Sequence, residues 1–424
     1  MAIYANAATV LRNRDFRLYT IHSLLAQLAA EILIVAIQWS IYDITRDPLD
    51  LGLVGLVQFL PSCFLVLLTG AAADRYSRKR ILVLTMVAEF VFALGIFLVA
   101  SAHLQQVWPI FVLVAGLAAG RAFGNPAALA LAPNLVEREQ IPAAVATSTS
   151  AWQFSAIAGP ALGGVLYGFS PTVAYVTALV MVFISGWAVF GIRKVEEPHP
   201  TEASTTDSLI GGFKFMLRQK VVLGAASLDL FAVLLGSTTA LLPVFARDIL
   251  ATGPWGLGLL RAGIGIGALA MALYLAVRPV RRRAGLVMFT TVAVFGVATV
   301  AFGLSHWIGI SVAALIVMGA SDMISVFIRE VLVQLWTPDA LRGRVNAVYM
   351  LMVSASNELG AFRAGWSAAR FGAVTAVVAG GCCTLGVAAL WSMLFPALRK
   401  ADDLTSVEQL EPEIHTIAKS GFID

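Results

Sequence analysis

The segment GAAADRYSRKR, residues 70–80, decides the fold because it is a short charged turn between two long apolar runs. Gly70 lacks a side chain and lets helices approach each other closely. Asp74 stands in the turn, where a carboxylate can face the positive end of a following helix. The basic side chains beside it favour the cytoplasmic face of a membrane. These basic residues are Arg75, Arg78, Lys79 and Arg80.

The composition of the whole chain agrees with a membrane location. Of its 424 residues, 59% are hydrophobic and only 13% are charged, against about 25% charged in a typical soluble domain. A soluble domain needs more charge to cover its surface, and a disordered chain needs low hydrophobicity with high net charge. The net charge of +4 is too small for its size to indicate a nucleic-acid partner. The composition therefore predicts a polytopic membrane protein.

Twelve segments are apolar over about 20 residues, the length at which a helix crosses a bilayer. They lie near residues 18–42, 51–73, 81–102, 108–132, 143–168, 172–192, 221–246, 256–278, 284–304, 307–328, 345–367 and 372–396. The first segment is too long for a secretory signal and contains Glu31, so we interpret it as a span. We predict an all-α membrane protein with twelve transmembrane helices.

The positions of lysine and arginine predict the orientation of these spans. With a cytoplasmic N-terminus, 22 of the 29 basic residues lie on the inner side and three lie on the outer side. The three outer residues are Arg46, Arg247 and Arg370. The other four fall within or at the ends of spans. We therefore expect a multi-pass protein with both termini in the cytoplasm.

The longest hydrophilic break separates the chain into two sets of six spans. The predicted parts are an N-terminal bundle (1–192), a cytoplasmic linker (193–220), a C-terminal bundle (221–398) and a cytoplasmic tail (399–424). Both halves have a basic loop between their second and third spans, at residues 70–80 and 278–283. This similarity suggests an internal duplication.

Two segments of the first half resemble motifs of the major facilitator superfamily of transporters. The glycine of segment 70–80, followed four residues later by Asp-Arg and then by a basic cluster, resembles motif A. The stretch GRAFGNP begins at Gly120 and contains Arg121. It resembles motif B, whose intramembrane arginine is linked to proton coupling in this family. The resemblance at superfamily level covers nearly the whole chain.

A third segment resembles motif C, which is common in exchangers of the same superfamily. It consists of Gly159, Pro160, Ala161, Leu162, Gly163 and Gly164. The glycines form a small-residue face for close helix packing, and the proline removes a backbone hydrogen bond and can kink the span. Such faces also occur where helices only pack, so an exchange role and a packing role both stay open.

The second half resembles the branch that contains enterobactin exporters and drug efflux proteins. The recurring elements of that branch are TPD at 337–339, RGRV at 342–345 and SNELG at 356–360. The chain departs from the pattern at Arg363, where a siderophore exporter is expected to carry another acid. The basic loop 278–283 also lacks the glycine and the aspartate of a second motif A.

The resemblance implies two pseudo-symmetric six-helix bundles around a cavity near the middle of a bacterial cytoplasmic membrane. It implies a proton-coupled exporter of a siderophore or drug that works by alternating access. The implied cytoplasmic gate consists of Gly70, Asp74, Arg75, Arg78, Arg80, Arg342 and Arg344. A lysophospholipid or nutrient carrier of the same fold is the alternative. We expect a monomer whose partners are protons, a small-molecule substrate and the lipid bilayer.

Charged residues inside spans are candidates for function, since a charge in hydrocarbon costs about 2.5–3.5 kcal/mol or more. Glu31 lies about 20 Å into the first span, at 1.5 Å per residue. Gln27, Glu31 and Gln38 share one helical face, which suits the lining of a central cavity. An apolar environment favours the neutral carboxyl, so Glu31 is a candidate proton carrier. A structural ion pair with a base such as Arg121 is the alternative.

The second half supplies further candidates for proton coupling or for a substrate cavity. They are Asp229, Asp322, Asn357 and Glu358. Asp322 and Arg329 are seven residues apart on one helical face, which fits a gate pair as well as a ligand site. We expect Arg261 to extend towards the membrane surface, and we assign no role to Glu89. The chain has no phosphate-binding loop, metal-ligand spacing or catalytic triad, so we expect neither an enzyme nor a cofactor or metal.

Overall fold

The protein is described here by a computed structural model, which covers residues 9–102, 106–193, 205–280 and 282–399. This part of the chain is helical and contains no β-strand. The long helices of the first half are α1 (Arg14–Thr45), α2 (Pro48–Arg75), α3 (Arg78–Ser101), α4 (Trp108–Leu131), α5 (Ile141–Phe169) and α6 (Pro171–Phe190). Those that follow are α7 (Thr205–Arg218), α8 (Lys220–Gly236), α9 (Gly253–Val277), α10 (Ala284–Leu304), α11 (Ile308–Leu335), α12 (Asp339–Phe371) and α13 (Ala373–Leu394).

The prediction of an all-α membrane protein is confirmed. Eleven of the twelve predicted spans coincide with a single long helix, the seventh begins in α8 and continues past its end, and α7 is the additional helix. Within the described residues, ten helices are long and apolar enough to cross a membrane. The two predicted spans outside those ten are α5 and α12, which carry more polar residues along their length.

The seventh predicted span is interrupted. Helix α8 ends at Gly236 and is followed by two residues without helical structure, Ser237 and Thr238. The chain continues through a 3-10 turn (Thr239–Leu241), one α-helical turn (Leu242–Val244) and a π-helical segment (Phe245–Ile249). The apolar run 221–246 gives no sign of this break. Short π-helical segments are frequently found at functional sites.

Local sequence explains where the first two helices begin and end. The side chain of Asn13 accepts hydrogen bonds from the backbone N–H groups of Asp15 (3.0 Å) and Phe16 (3.3 Å), which caps α1. Arg46 ends α1 in the left-handed conformation, with φ of 55°. The Asp47 carboxylate then accepts from the N–H of Leu49 at 2.9 Å, and Pro48 opens α2. The connection between α1 and α2 is therefore short and well defined.

The chain forms two compact units. Unit 1 comprises Met1–Thr205, Thr239–Ala262 and Gly365–Ala373. Unit 2 comprises Thr206–Thr238, Gly263–Ala364 and Val374–Asp424. The boundaries at 238/239, 262/263 and 364/365 fall inside the seventh, eighth and eleventh predicted spans. Those three spans therefore each contribute one part to unit 1 and another part to unit 2.

Each unit has its own apolar core. In unit 1 a cluster around Phe16, Tyr19, Leu82 and Leu131 is almost completely buried. The described residues of unit 2 contain two such clusters, and the larger one joins residues of α8, α10, α11 and α13. In the smaller one, Phe215 and Met216 of α7 pack with Val345, Val348 and Tyr349 of α12. Helix α7 is the described part of the predicted linker, and residues 194–204 lie outside the described residues.

Candidate functional site

Glu31 lies in the middle of α1 and is half-buried in unit 1. The Nε2 group of Gln27 donates a hydrogen bond of 2.8 Å to its Oε1 atom. Gln27 and Glu31 are one helical turn apart, so their side chains lie on the same face of α1, as predicted. On that face they form a hydrogen-bonded pair. The positive charges of Arg261 and Arg121 both act on the Glu31 carboxylate, and that of Arg261 acts more strongly.

The motif C glycines make room for this part of α1. A side chain at position 159 would place its Cβ atom 2.5 Å from the Cβ of Glu31. A Cβ at position 163 would lie 3.1 Å from the backbone of Ile32. Real Cβ atoms essentially never approach within 3.0 Å, so Gly159 is required by the position of Glu31. The glycines of α5 and the carboxyl group of α1 therefore belong to one local arrangement.

Arg261 connects the two polar positions of α1. Its Nη2 group donates a hydrogen bond to Oε1 of Gln38, a buried residue two turns beyond Glu31. Its Nε group is buried and has no hydrogen-bond partner within the described residues. We expected Arg261 to extend to the membrane surface. In the structure its side chain lies against α1, where it can still donate to another group.

Arg121 of α4 pairs with Glu89 of α3. The Nε atom of Arg121 is 3.4 Å from Oε1 of Glu89, whose side chain is only 6% exposed. The Nη2 group of Arg121 is buried without a hydrogen-bond partner in the described part of the chain. We had assigned no role to Glu89, because its partner lies on another helix. Two carboxylates, Glu31 and Glu89, and two guanidinium groups, Arg121 and Arg261, thus form one intramembrane network in unit 1, which we call the Glu31 network.

A second group of charges lies at the C-terminal end of α1, also within unit 1. Asp43 pairs with Arg247, and the Arg247 guanidinium stacks over the ring of Trp39 with 5.6 Å to its centroid. Tyr42 donates a hydrogen bond to Asp248, which also faces Arg46 at 3.5 Å. We call Asp43, Arg46, Arg247 and Asp248 the α1-end cluster. It ties α1 to the π-helical segment that follows the break in the seventh span.

Unit 1 also contains two places where glycines allow helix backbones to touch. A Cβ at Gly164 of α5 would lie 2.5 Å from the Cα of Gly258 in α9. A Cβ at Gly365 of α12 would lie 2.5 Å from the carbonyl oxygen of Pro48 and 2.8 Å from the Cα of Gly52 in α2. These backbones touch without side chains between them. Close backbone contact at small residues is typical of helix interfaces in membranes.

Unit 2 contains a separate buried network around Arg329 of α11. Arg329 is 2% exposed, pairs with Asp229 of α8 and donates a hydrogen bond from Nε to the hydroxyl of Tyr349 in α12. Its guanidinium also faces the Tyr349 ring at 5.4 Å. We considered a pair of Arg329 with Asp322, seven residues earlier on the same helix. The structure gives Arg329 an ion pair with Asp229 instead.

The remaining candidates of the second half are not joined to this pair. Nδ2 of Asn357 donates to the backbone oxygen of Val353 at 2.9 Å and is exposed. Glu358 is half-buried, and no hydrogen bond or ion pair of its side chain is found in the described residues. Arg363 donates to the carbonyl oxygens of Leu234 (3.2 Å) and Ser237 (3.3 Å). It therefore caps the end of α8 at the break, where the unpaired carbonyls attract a cation.

The charged turn between α2 and α3 is described in part. Gly70 and Asp74 lie in α2, but their immediate surroundings fall outside the described part of the structure. Arg78 donates to the carbonyl oxygen of Ala130 at 2.9 Å. Arg75 and Arg80 are exposed, as are Arg342 and Arg344 in the first turns of α12. A Cβ at Gly212 of α7 would lie 2.5 Å from the carbonyl oxygen of Arg344, so α7 packs closely on this end of α12.

Comparison with known proteins assigns the family. A family model described as transmembrane secretion effector matches residues 5–421. The chain belongs to this family of major facilitator transporters. The enterobactin exporters EntS of Citrobacter koseri and Escherichia coli are each 26% identical to it over 369 residues, which cover 86% of this chain and 87% of theirs. The predicted resemblance to the major facilitator superfamily is confirmed.

Solved structures share the major facilitator fold. A bacterial homologue of the human lysosomal transporter Spinster, in an inward-facing and unoccupied conformation, aligns with a TM-score of 0.72 at 12% identity. The alignment covers 96% of this chain and 98% of that one. A bacterial homologue of the iron transporter ferroportin aligns with a TM-score of 0.68 at 15% identity, over 92% and 99% of the two chains. The protein is therefore a multi-pass membrane transporter of this fold.

Proposed function

We propose that the protein is a proton-driven exporter of a small amphipathic molecule, a siderophore or a drug, in the bacterial cytoplasmic membrane. The observation that carries the proposal is the position of Glu31, halfway along α1, hydrogen-bonded to Gln27 and acted on by two arginines. The similarity to enterobactin exporters over 86% of the chain supports the direction of transport and the class of substrate. We further propose that the chain works as a monomer of two six-helix bundles.

The charges of the Glu31 network balance only while both carboxylates are ionised. Glu89 offsets Arg121 directly, whereas Glu31 offsets Arg261 from a half-buried position. A proton on Glu31 removes that attraction and leaves one uncompensated positive charge. An uncompensated charge away from water is unfavourable, so protonation favours a rearrangement of the Arg261 side chain. This step is a direct link between proton binding and a change of contacts.

The contacts of Arg261 connect this step to the α1-end cluster. Arg261 holds Gln38 of α1, and Trp39 and Asp43 follow within the next turns and contact Arg247. A shift of Arg261 would break its hydrogen bond with Gln38, which is one of the contacts between α1 and α9. The ion pairs of the α1-end cluster would then remain as polar contacts of this end of α1. We propose that this cluster controls access from the outer side. Exposed ion pairs of this kind are weak enough to open and close repeatedly.

We assign control of access from the cytoplasm to the charged turns at the opposite ends of the helices. In unit 1 these residues are Gly70, Asp74, Arg75, Arg78 and Arg80. In unit 2 they are Arg342 and Arg344, next to the contact of α12 with the linker helix α7. Unchanged transport by an Asp74→Ala variant would remove the gating role from the motif A turn.

The class of substrate is proposed from the similarity to enterobactin exporters. Arg363 stands where a siderophore exporter is expected to carry an acid, and it donates to the carbonyl oxygens of Leu234 in α8 and of Ser237 just after it. The arginine at this position therefore stabilises the end of α8 at the break in the seventh span. Thermal stabilisation of the purified protein by enterobactin, a macrolide or a lysolipid would separate export of a siderophore or drug from the alternative of a lipid or nutrient carrier.

The test of proton coupling uses everted membrane vesicles that contain the full-length protein. The compound that stabilises the wild type should accumulate when a pH gradient is applied, and Glu31→Gln should abolish this accumulation. Glu139→Gln is the matched control, because Glu139 is exposed and lies outside the network. Wild-type accumulation by the Glu31→Gln variant would exclude Glu31 as the proton carrier.

A further inference from the structure

The linker helix α7 lies beside the ends of two predicted spans of unit 2. It ends at Arg218, and the apolar run that crosses the membrane through α8 begins at Lys220. Its buried side chains, Phe215 and Met216, pack on the first turns of α12. Helix α7 has 14 residues, about 21 Å at 1.5 Å per residue, which is too short to cross a hydrocarbon core of about 30 Å. It is therefore a helix at the membrane surface.

The side of α7 that faces away from α12 is amphipathic. Phe213 and Leu217 stand one turn apart and are 50% and 51% exposed. Lys214 and Arg218 also stand one turn apart, and both are exposed. One strip of this side is therefore apolar and the neighbouring strip is basic. We call these four residues the outer face of α7.

A third cation lies beside the basic strip. Gly211 stands three and seven residues before Lys214 and Arg218, on the same side of the helix. A Cβ at Gly211 would lie 3.6 Å from Nη1 of Arg344 in α12. The sequence from 211 to 220 contains three basic residues and no acidic one. This surface has the charge that complements an anionic group.

We propose that the outer face of α7 binds an anionic phospholipid of the surrounding bilayer. The lipid phosphate would accept hydrogen bonds from Lys214 and Arg218, beside Arg344, and an acyl chain would cover Phe213 and Leu217. Helices that lie in the membrane interface typically combine apolar side chains with adjacent lysine and arginine.

A lipid fits this surface better than a soluble anion does. A soluble phosphate would neutralise the basic strip but leave Phe213 and Leu217 in water. A zwitterionic lipid would cover the apolar strip but bring no net negative charge to the basic one. An anionic phospholipid satisfies both strips, and it is available where α7 meets the ends of the spans. It would hold the linker helix at the membrane surface.

This lipid site goes beyond the proposed function. The Glu31 network lies in unit 1, whereas the outer face of α7 and Arg344 lie in unit 2. Contact with a lipid is measured without a substrate or a pH gradient, so the two proposals fail independently. Arg344 also belongs to the proposed cytoplasmic gate, and it is therefore left unchanged in the experiment.

The experiment uses the full-length protein in nanodiscs of phosphatidylcholine. The three cysteines of the chain are replaced by alanine, and Leu217→Cys carries a fluorescent bimane label. Brominated phosphatidylglycerol or brominated phosphatidylcholine is then added in increasing amounts, because bromine quenches the label on contact. We expect half-maximal quenching at an at least about fivefold lower fraction of the anionic lipid. In Lys214→Gln with Arg218→Gln, the two lipids should become equal to within about twofold.

Two controls separate this site from general effects of charge and of membrane contact. Arg278→Gln with Arg282→Gln removes the same charge from another exposed part of unit 2 and should keep the preference for the anionic lipid. A label at Val297→Cys, an exposed apolar position inside α10, should be quenched equally by both lipids.

Three results would overturn the proposal. The first is equal quenching of the label at position 217 by the two lipids, which would mean apolar contact without headgroup recognition. The second is quenching at position 297 but none at 217, which would mean that another partner or water covers the outer face. The third is an equal loss of preference in both double variants, which would mean a general charge effect. The comparison of the two lipids needs neither charge variant, so it tests the site even if one of them does not fold.

Discussion

The two intramembrane charge networks of this protein differ in how completely they are closed. In unit 2, Arg329 and Asp229 have side chains exposed by only 2% and 8%, and Tyr349 completes the contacts of the arginine. In unit 1, Arg121 keeps 29% of its side chain exposed, and Glu31 is only half-buried. The first network is enclosed, whereas the second is partly accessible to water.

The difference separates structural charges from charges that can change state. A fully enclosed ion pair loses heavily when either member is neutralised, so it holds helices together. A half-buried carboxylate is partly accessible to water, which screens the change of charge, so it can be neutralised at a smaller cost even beside two arginines. We therefore place proton coupling at Glu31 and the fixation of α8, α11 and α12 at Arg329. Substitutions in the two networks and in the helix contacts around them test this division.

Removal of the arginine from the closed network should have the largest effect. Arg329→Ala leaves Asp229 buried and unpaired, which we expect to cost about 3–5 kcal/mol of folding free energy. Thermal unfolding of the detergent-purified protein measures it. A double variant, Asp229→Asn with Arg329→Met, should recover much of the loss because it leaves no uncompensated charge. An Arg329→Ala protein that melts at the wild-type temperature would show that the pair does not hold unit 2 together.

The contact between the motif C face and Glu31 should give an intermediate effect. A Cβ at position 159 would lie 2.5 Å from the Cβ of Glu31, which cannot rotate away, so Gly159→Ala should destabilise by about 1–3 kcal/mol. It should also lower transport, since it displaces the Glu31 carboxyl. The matched control is Gly168→Ala on the same helix, where the nearest atoms are 3.9 Å away. That variant should be neutral or slightly more stable. Equal effects of both alanines would contradict a specific role of Gly159.

The α1-end cluster should give the smallest effect on stability. The side chains of Asp43 and Arg247 are 46% and 24% exposed, so a double-mutant cycle with Asp43→Asn and Arg247→Gln should yield a coupling of less than about 1 kcal/mol. Added salt should reduce the coupling further. The same variants should change the transport rate measurably, because the pair is proposed to open in every cycle. A coupling of several kcal/mol would mean that the pair is a fixed structural element like Arg329 and Asp229.

The helices could be predicted from the sequence because each one is determined by the residues within it. About 20 apolar residues between charged turns specify a span whatever lies around it. The capping of α1 by Asn13 and of α2 by Asp47 is equally local. The break after Gly236 escaped prediction, because the residues on both sides of it are apolar. It is stabilised by Arg363, which is distant in sequence and donates to the carbonyls of Leu234 and Ser237.

The site was predicted less completely, since its contacts depend on which helices are neighbours. Glu31, Arg121 and the glycines of α5 were identified from their residue types and positions. Their partners were not: Glu89 for Arg121, Gln38 for Arg261 and Asp229 for Arg329 each lie on another helix. Helical periodicity shows which residues share a face, but it cannot show which face of another helix they meet. For Asp322 and Arg329, the shared face suggested a pair that the structure does not contain.

The most direct test of the account compares two modes of transport in the same proteoliposomes. For the Glu31→Gln variant, one experiment measures exchange of labelled substrate at equal concentrations and pH on both sides. The other measures accumulation driven by a pH gradient. We predict that exchange persists near the wild-type rate while gradient-driven accumulation is lost, because the variant still alternates but no longer carries a proton. Gradient-driven accumulation at the wild-type level would contradict the central role of Glu31.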